Sequence, residues 1–153
     1  RQRQMCIRDW MKADTMEDCH VIDACLNATV CKNLFLCNRQ KTNFYLLMMP
    51  GDKPFKTKEL SHQLGIARLS FASPEDMEQY LDCTPGSSSI MGLANDAENK
   101  VQLLMDEDIK AGEYLGCHPC INTSSLKLRT ADVLETFLPA VHHEPIFVHL
   151  TGE

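Results

Sequence analysis

The segment Cys117 to Cys120, Cys-His-Pro-Cys, brings two thiols and an imidazole within four residues, the spacing of a redox centre or of half a zinc site. A redox Cys-x-x-Cys needs its first thiol at the start of a helix, where the helix dipole lowers the thiol pKa. Here a polar loop follows, and residues 124–128 then alternate as a strand. A zinc site needs a second ligand pair, but His142 and His143 are adjacent and, with Glu144, are expected to be solvated. We therefore favour neither metal nor redox chemistry.

Three other features could act chemically. Lys32 opens an apolar strand, where it either reaches solvent or provides a positioned charge for a phosphate or an oxyanion. The loop from Thr84 to Leu93 is either an ordinary turn or a set of backbone N–H groups that could bind an anion or a carbonyl oxygen. The acids at 106–108 could form a carboxylate site, but they are more typical of the start of a helix.

Composition limits the class of protein. The chain has 153 residues, and we expect residues 1–153 to form a single domain. A net charge of −6 argues against a protein that coats nucleic acid, although a pocket for one terminal nucleotide needs only one or two cations. The eight cysteines lie mostly in apolar runs, and no signal peptide or membrane span is evident. We therefore expect reduced thiols and a cytoplasmic protein that does not associate with membranes.

The hydrophobic pattern predicts an α/β fold, with a mixed and mostly antiparallel sheet flanked by helices. Helices are expected over 15–27, 57–64 (ended by Gly65), 74–81 (begun by Ser73) and 130–139, with a short helix or turn over 106–111. Strands are expected over 32–37, 43–49, 68–72, 100–105, 113–117, 124–128 and 145–150.

Three separated motifs resemble one family in order and spacing. They are Lys-Asn-Leu-Phe-Leu at 32–36, Thr-Pro-Gly-Ser-Ser-Ser at 84–89, and Gly-Cys-His-Pro at 116–119 followed by Asn122-Thr123. They are similar to the YbaK-like aminoacyl-tRNA editing domains, and most of all to the free-standing prolyl-tRNA editing branch, the PrdX-like alanyl-tRNA(Pro) deacylases. The resemblance covers roughly residues 14–150. The segment before Asp14 matches poorly, and we expect it to be atypical or truncated.

This resemblance implies a trans-editing hydrolase that removes a wrong amino acid, most of all alanine, from the 3′ end of tRNA(Pro). Alanine is mischarged because a proline pocket cannot strongly reject a smaller side chain. The family uses no metal, so we expect no cofactor. The implied partners are the acceptor end of mischarged tRNA and a protein that delivers it, either prolyl-tRNA synthetase or an elongation factor.

The resemblance also implies the roles of individual residues. Lys32 would contact the terminal adenosine phosphate or the reacting carbonyl, Gly86 would offer backbone donors, and His118 would shape the pocket; these three form the implied catalytic set. The residues implied to bind substrate are Asn33, Ser87, Ser88, Ser89, Cys117, Asn122 and Thr123. We further hypothesise that Cys117 limits the size of the accepted amino acid.

Three other interpretations remain open. Within the same fold, the substrate could be Cys-tRNA(Pro), whose own thiol would assist hydrolysis. The chain could also be a non-catalytic RNA-binding or regulatory module, although the presence of Lys32, Gly86 and His118 argues against this. A thiol-redox protein using Cys117 and Cys120 is the third possibility.

Overall fold

The structure is a computed structural model that describes residues 5–9, 31–120 and 124–152, with side chains described over 31–120 and 126–152. The helix predicted over 15–27 lies outside the described residues, as do Asn122 and Thr123. The described strands are β1 Met5–Asp9, β2 Cys31–Cys37, β3 Phe44–Pro50, β4 Ser70–Phe71, β5 Val101–Asp106, β6 Tyr114–Cys117, β7 Ser124–Arg129 and β8 Ile146–Val148.

The described strands form two sheets. One has the order β1-β7-β6 and is antiparallel throughout, and the other has the order β4-β2-β3-β5-β8. In the larger sheet β2 pairs antiparallel with β3 and β4, whereas β3 with β5 and β5 with β8 are parallel. The predicted α/β class with mixed, mostly antiparallel pairing is confirmed. The strands predicted over 68–72 and 145–150 are shorter than expected, and β1 was not predicted.

The helices follow local signals in the sequence. Helix α1, Thr57–Leu64, ends at Gly65, whose φ of 65° lies in the left-handed region that glycine adopts without strain. Helix α2, Pro74–Leu81, begins with a capping box in which the Ser73 hydroxyl accepts from Asp76 N at 3.2 Å. Both sets of bounds are as predicted.

Two further helical regions complete the chain. Helix α3 is Glu107–Ala111. Helix α4 covers 130–140, and its middle part, Val133–Phe137, widens to a π-helix between the α-helical turns Thr130–Asp132 and Leu138–Ala140. The widening precedes Pro139, which has no N–H for the usual bond to the carbonyl four residues earlier. None of the helices in the described part of the chain is long and apolar enough to cross a membrane.

The five-stranded sheet has an apolar cluster on each face. Since side chains alternate along a strand, the odd-numbered residues of β2 enter one cluster and the even-numbered residues enter the other. The large cluster joins β2, β3 and β5 to β6, β7 and α4 through residues that include Phe35, Leu46, Leu103, Leu115, Leu126 and Val133. The small cluster lies under α1 and includes Leu36, Leu47, Leu60, Leu104 and Leu150.

Candidate functional site

The loop between α2 and a 3-10 helix at Ile90–Asn95 is held by a tight turn. Gly86 has a φ of 84°, a left-handed conformation that a side chain would strain. Ser87 closes the turn, because its N–H donates to Thr84 O at 3.0 Å and its hydroxyl donates to the same carbonyl at 2.9 Å. Ser87 thus fixes the loop backbone, and its hydroxyl is already committed to the turn.

Ser89 connects this loop to the end of β6. Its side chain is fully buried, and its hydroxyl donates to the backbone carbonyl of His118. The same oxygen accepts from Met91 N at 3.1 Å, which caps the 3-10 helix. A hydrogen bond also links Ser89 to the Cys117 thiol. Ser89 therefore brings two of the sequence motifs together.

Ser88 and Asn33 carry buried oxygens that have no hydrogen-bond partner among the described residues. The atoms are the Ser88 hydroxyl oxygen and Asn33 Oδ1, and the third such atom is Thr130 Oγ1. Asn33 of β2 is paired with Met48 of β3, which belongs to the large cluster. The Asn33 side chain therefore lies on the face of that cluster, where Cys117 also lies. A buried polar atom without a partner is costly, and a bound ligand could satisfy it.

The three described residues of the Cys-His-Pro-Cys motif that carry reactive side chains lie in different surroundings. Cys117 is completely buried, and burial raises its pKa to about 12 although a hydrogen bond with Ser89 acts in the opposite direction. His118 is buried at the end of β6. Cys120 is partly exposed and has a left-handed φ of 65°.

Cys120 pairs with Cys83 rather than with Cys117. A hydrogen-bond interaction between the two sulfurs raises the pKa of Cys83 and lowers the pKa of Cys120 below its usual value. Cys37, Cys83, Cys117 and Cys120 are free thiols. Over the described residues, no group of three or more His, Cys, Asp or Glu side chains could hold a metal ion.

Lys32 lies on the other face of the sheet from Asn33. It is paired with Met49, a member of the small cluster, and its ammonium donates to the backbone carbonyl of Lys53. Burial lowers the pKa of Lys32, while the charge of Asp52 partly opposes the shift. The structure therefore brings Asn33, the serines, Cys117 and His118 to one face, and directs Lys32 to the opposite one.

Sequence reasoning missed the ion cluster beside Lys32. Lys53 Nζ lies 2.8 Å from Asp106 Oδ2 and 2.7 Å from Asp108 Oδ2, and Asp106 is fully buried. Burial alone lowers the Lys53 pKa, but the hydrogen bonds with Asp106 and Asp108 outweigh it and raise the pKa. Asp106 also caps α3 by accepting from Asp108 N at 2.9 Å, which confirms the acids as a helix start.

The expectation that His143 is solvated is wrong. Its ring is buried, with Nε2 2.9 Å from Asp96 Oδ2 and Nδ1 2.7 Å from Val141 O. Asp96 also accepts from Lys100 N at 2.9 Å and from Val101 N at 2.8 Å, so the pair joins the end of α4 to the start of β5. No signal in the local sequence separates this buried histidine from its exposed neighbour, because the partner is 47 residues away.

The arrangement of the described elements defines the class of fold. A solved structure of a candidate trans-editing enzyme for prolyl tRNA synthetase superposes with a TM-score of 0.68 at 11% identity, covering 95% of this chain and 87% of that one. At such low identity the likeness establishes the fold alone.

Sequence comparison identifies the family. The model of the aminoacyl-tRNA editing domain matches residues 11–136, so the chain belongs to this family, and the resemblance seen in its motifs is confirmed. The prolyl-tRNA editing protein ProX of Acetoanaerobium sticklandii is 29% identical over 119 residues, which cover 78% of this chain and 73% of the relative. Prolyl-tRNA synthetase associated domain-containing protein 1 of Danio rerio is 30% identical over 125 residues, covering 80% and 67%.

Proposed function

We propose that the chain is a trans-editing hydrolase that cleaves the ester between a wrong amino acid, alanine above all, and tRNA(Pro). It would act in the cytoplasm without a metal, on tRNA delivered by prolyl-tRNA synthetase or an elongation factor. The observation that carries the proposal is the junction of the 84–89 loop with His118 through Ser89, in a chain of the aminoacyl-tRNA editing domain family. The names of its relatives point to the proline system.

The unpaired oxygens suit the polar end of an aminoacyl ester. Asn33 Oδ1 can only accept hydrogen bonds, and the Ser88 hydroxyl can accept one as well. The substrate offers an α-ammonium group and a ribose hydroxyl, both of which donate. We assign Asn33 and Ser88 to these donors, because binding would then relieve the cost of two buried unpaired atoms.

Backbone donors of the 84–89 loop would stabilise the oxyanion that forms when water attacks the ester carbonyl. The left-handed Gly86 and the Ser87 bonds hold this backbone in place before substrate arrives. The substrate's own neighbouring ribose hydroxyl would help to order the attacking water. Collapse of the intermediate returns the 3′-hydroxyl of the tRNA and releases the free amino acid.

The position of Lys32 favours one of the two roles considered for it. Its side chain leaves β2 on the face opposite Asn33 and Cys117, so we assign it to a phosphate of the acceptor end and not to the reacting carbonyl. A compact, positioned ammonium is suited to a phosphate. Loss of Lys32 should then act mainly on KM.

The substrate and the metal-free chemistry are tested in a single deacylation experiment. The purified chain is incubated with Ala-, Cys- and Pro-charged tRNA(Pro), with and without a chelator, and Cys120→Ser is assayed in parallel. We expect Ala-tRNA(Pro) to be hydrolysed fastest, Pro-tRNA(Pro) to be spared, and neither chelator nor Cys120→Ser to matter. Faster hydrolysis of the cysteinyl ester would transfer the assignment to Cys-tRNA(Pro), and loss of all activity in chelator would refute the metal-free mechanism.

A further inference from the structure

A groove on the α1 side of the larger sheet concentrates positive charge on a chain whose net charge is −6. We call it the basic groove; it encloses about 920 Å³, and the lining residues that matter here are Arg39, Phe55, Lys56, Lys58, Arg68 and Phe71. The lining contains no Asp or Glu. Four cations without an acid along one groove indicate an anionic partner.

The cations of the basic groove are available to a partner. All four are exposed, and within the described part of the chain none forms an ion pair with a carboxylate. Arg68 is oriented by a hydrogen bond from its Nε to Thr57 Oγ1 at 3.3 Å. Elsewhere, by contrast, Lys41, Lys53 and Lys100 face carboxylates.

Two aromatic rings lie among these charges. Phe71, on the edge strand β4, is 61% exposed, which is unusual for so large an apolar side chain. Its ring stands at 72° to that of Phe55, with 6.1 Å between the centroids, and Phe55 packs against the small cluster. Phe55 thus contacts Phe71, while most of the Phe71 side chain stays exposed. Exposed aromatic rings between cations are typical of surfaces that bind single-stranded nucleic acid.

The basic groove lies on the same face of the larger sheet as Lys32. Phe71 pairs with Leu36 of β2, and Lys32 lies four residues earlier on the same face of that strand. At the usual rise of a strand, the two positions are separated by about 13 Å. The segment from Lys53, whose carbonyl holds Lys32, to Phe55 and Lys56 runs between them.

We propose that the basic groove binds single-stranded RNA, with a base stacked on Phe71 and phosphates held by the flanking arginines and lysines. This inference rests on the proposed function for the identity of the RNA, which would be the unpaired acceptor end of the substrate leading to Lys32. An acidic peptide would use the cations but would gain nothing from a stacking ring, so it fits the groove less well.

The test is equilibrium binding of a short single-stranded RNA that carries no amino acid, measured by fluorescence anisotropy over a salt series. We expect Phe71→Ala, and also Phe71→Leu, to weaken binding between about fivefold and a hundredfold with an unchanged salt slope, since base stacking is lost. Arg39→Gln and Lys58→Gln should each reduce the slope of log affinity against log salt by about 0.7. Lys100→Gln, an equal charge change outside the groove, should bind as the wild type does.

Binding by the groove variants that equals binding by Lys100→Gln would overturn the inference, as would equal competition by polyglutamate. The assay involves no ester, so it separates the two proposals. If the groove substitutions weaken RNA binding but the protein hydrolyses no aminoacyl-tRNA, the proposed function would be refuted and the inference about the groove would stand. If the protein hydrolyses aminoacyl-tRNA but the groove substitutions leave its RNA affinity unchanged, the groove inference would be refuted and the proposed function would stand.

Discussion

The side chain of Ser89 donates a hydrogen bond to the backbone carbonyl of His118, across 29 residues of sequence. Two short motifs that carry no distinctive chemistry alone are thereby joined on one face of the sheet. The neighbouring serines do different work, because Ser87 closes its own turn while the Ser88 hydroxyl stays without a partner among the described residues.

This division of roles predicts that a Ser→Ala substitution has different effects at Ser89 and at Ser88. Ser89→Ala should lower the free energy of unfolding by about 1–3 kcal/mol, since it leaves a buried carbonyl and the Met91 N–H without a partner. Ser88→Ala should change stability little and instead raise KM for the aminoacyl ester. Urea unfolding and steady-state hydrolysis measure the two effects. Equal losses of unfolding free energy in the two variants would show that Ser88 and Ser89 have the same structural role.

Lys53→Met should destabilise the protein by about 3–5 kcal/mol, because it leaves the carboxylate of Asp106 buried without its cation. Lys100→Met is the matched control, since Lys100 is exposed and lies 3.8 Å from Glu98, and it should cost less than about 1 kcal/mol. Thermal or denaturant unfolding of both variants checks the comparison, and similar losses would contradict it.

The same ion cluster should make stability depend on alkaline pH. The folded-state pKa of Lys53 is raised, so its contribution is complete below the unfolded pKa of about 10.4 and is lost as pH rises through the higher folded value. The difference in unfolding free energy between wild type and Lys53→Met should therefore stay constant to about pH 10 and shrink above it. A difference that changes at neutral pH would assign the effect to another group.

Thiol labelling should distinguish the two cysteines of the Cys-x-x-Cys segment. The hydrogen-bond interaction with Cys83 lowers the pKa of Cys120, whereas burial raises the pKa of Cys117 to about 12. At neutral pH, iodoacetamide should therefore alkylate Cys120 well before Cys117, because only the thiolate reacts. Mass spectrometry of timed samples measures the order, and comparable rates would show that the surroundings of the two thiols differ less than described.

Cys117→Gly should widen the range of accepted amino acids if Cys117 limits the size of the aminoacyl pocket. We expect esters larger than alanine to be hydrolysed faster relative to the alanyl ester. Cys37→Gly makes the same chemical change at a buried strand position of the same cluster and should lower stability without altering selectivity. An unchanged substrate profile in Cys117→Gly would remove the size-limit hypothesis.

The parts of the fold that sequence predicted are those with local signals. Gly65 and the Ser73–Asp76 capping box set helix ends through residues within four positions of each other. Strand β1 was missed because its support comes from β7, which pairs Met5 with Leu128 across most of the chain. The division into two sheets was likewise not predictable, since it depends on which strands meet at long range.

The candidate site residues came from motif order, and their arrangement could not be predicted from the sequence. The family resemblance of the motifs assigned Asn33, Ser89 and His118 to one site. Only the alternation of side chains in the folded sheet shows that the Lys32 side chain lies on the opposite face. The burial of His143 against Asp96 also depends on a partner far away in sequence. Apolar patterning cannot signal such contacts, because it records burial along one element at a time.

We propose that this chain hydrolyses Ala-tRNA(Pro) with the phosphate of the acceptor end held by Lys32. The most direct measurement is kcat/KM for Ala-tRNA(Pro) hydrolysis by the wild type, Lys32→Ala and Lys100→Ala. We predict that the wild type and Lys100→Ala hydrolyse Ala-tRNA(Pro) with the same kcat/KM. In Lys32→Ala, kcat/KM should fall roughly tenfold to a hundredfold through a higher KM, since one charge-assisted hydrogen bond is lost. Equal rates for the wild type and Lys32→Ala, or no hydrolysis by the wild type, would contradict the account.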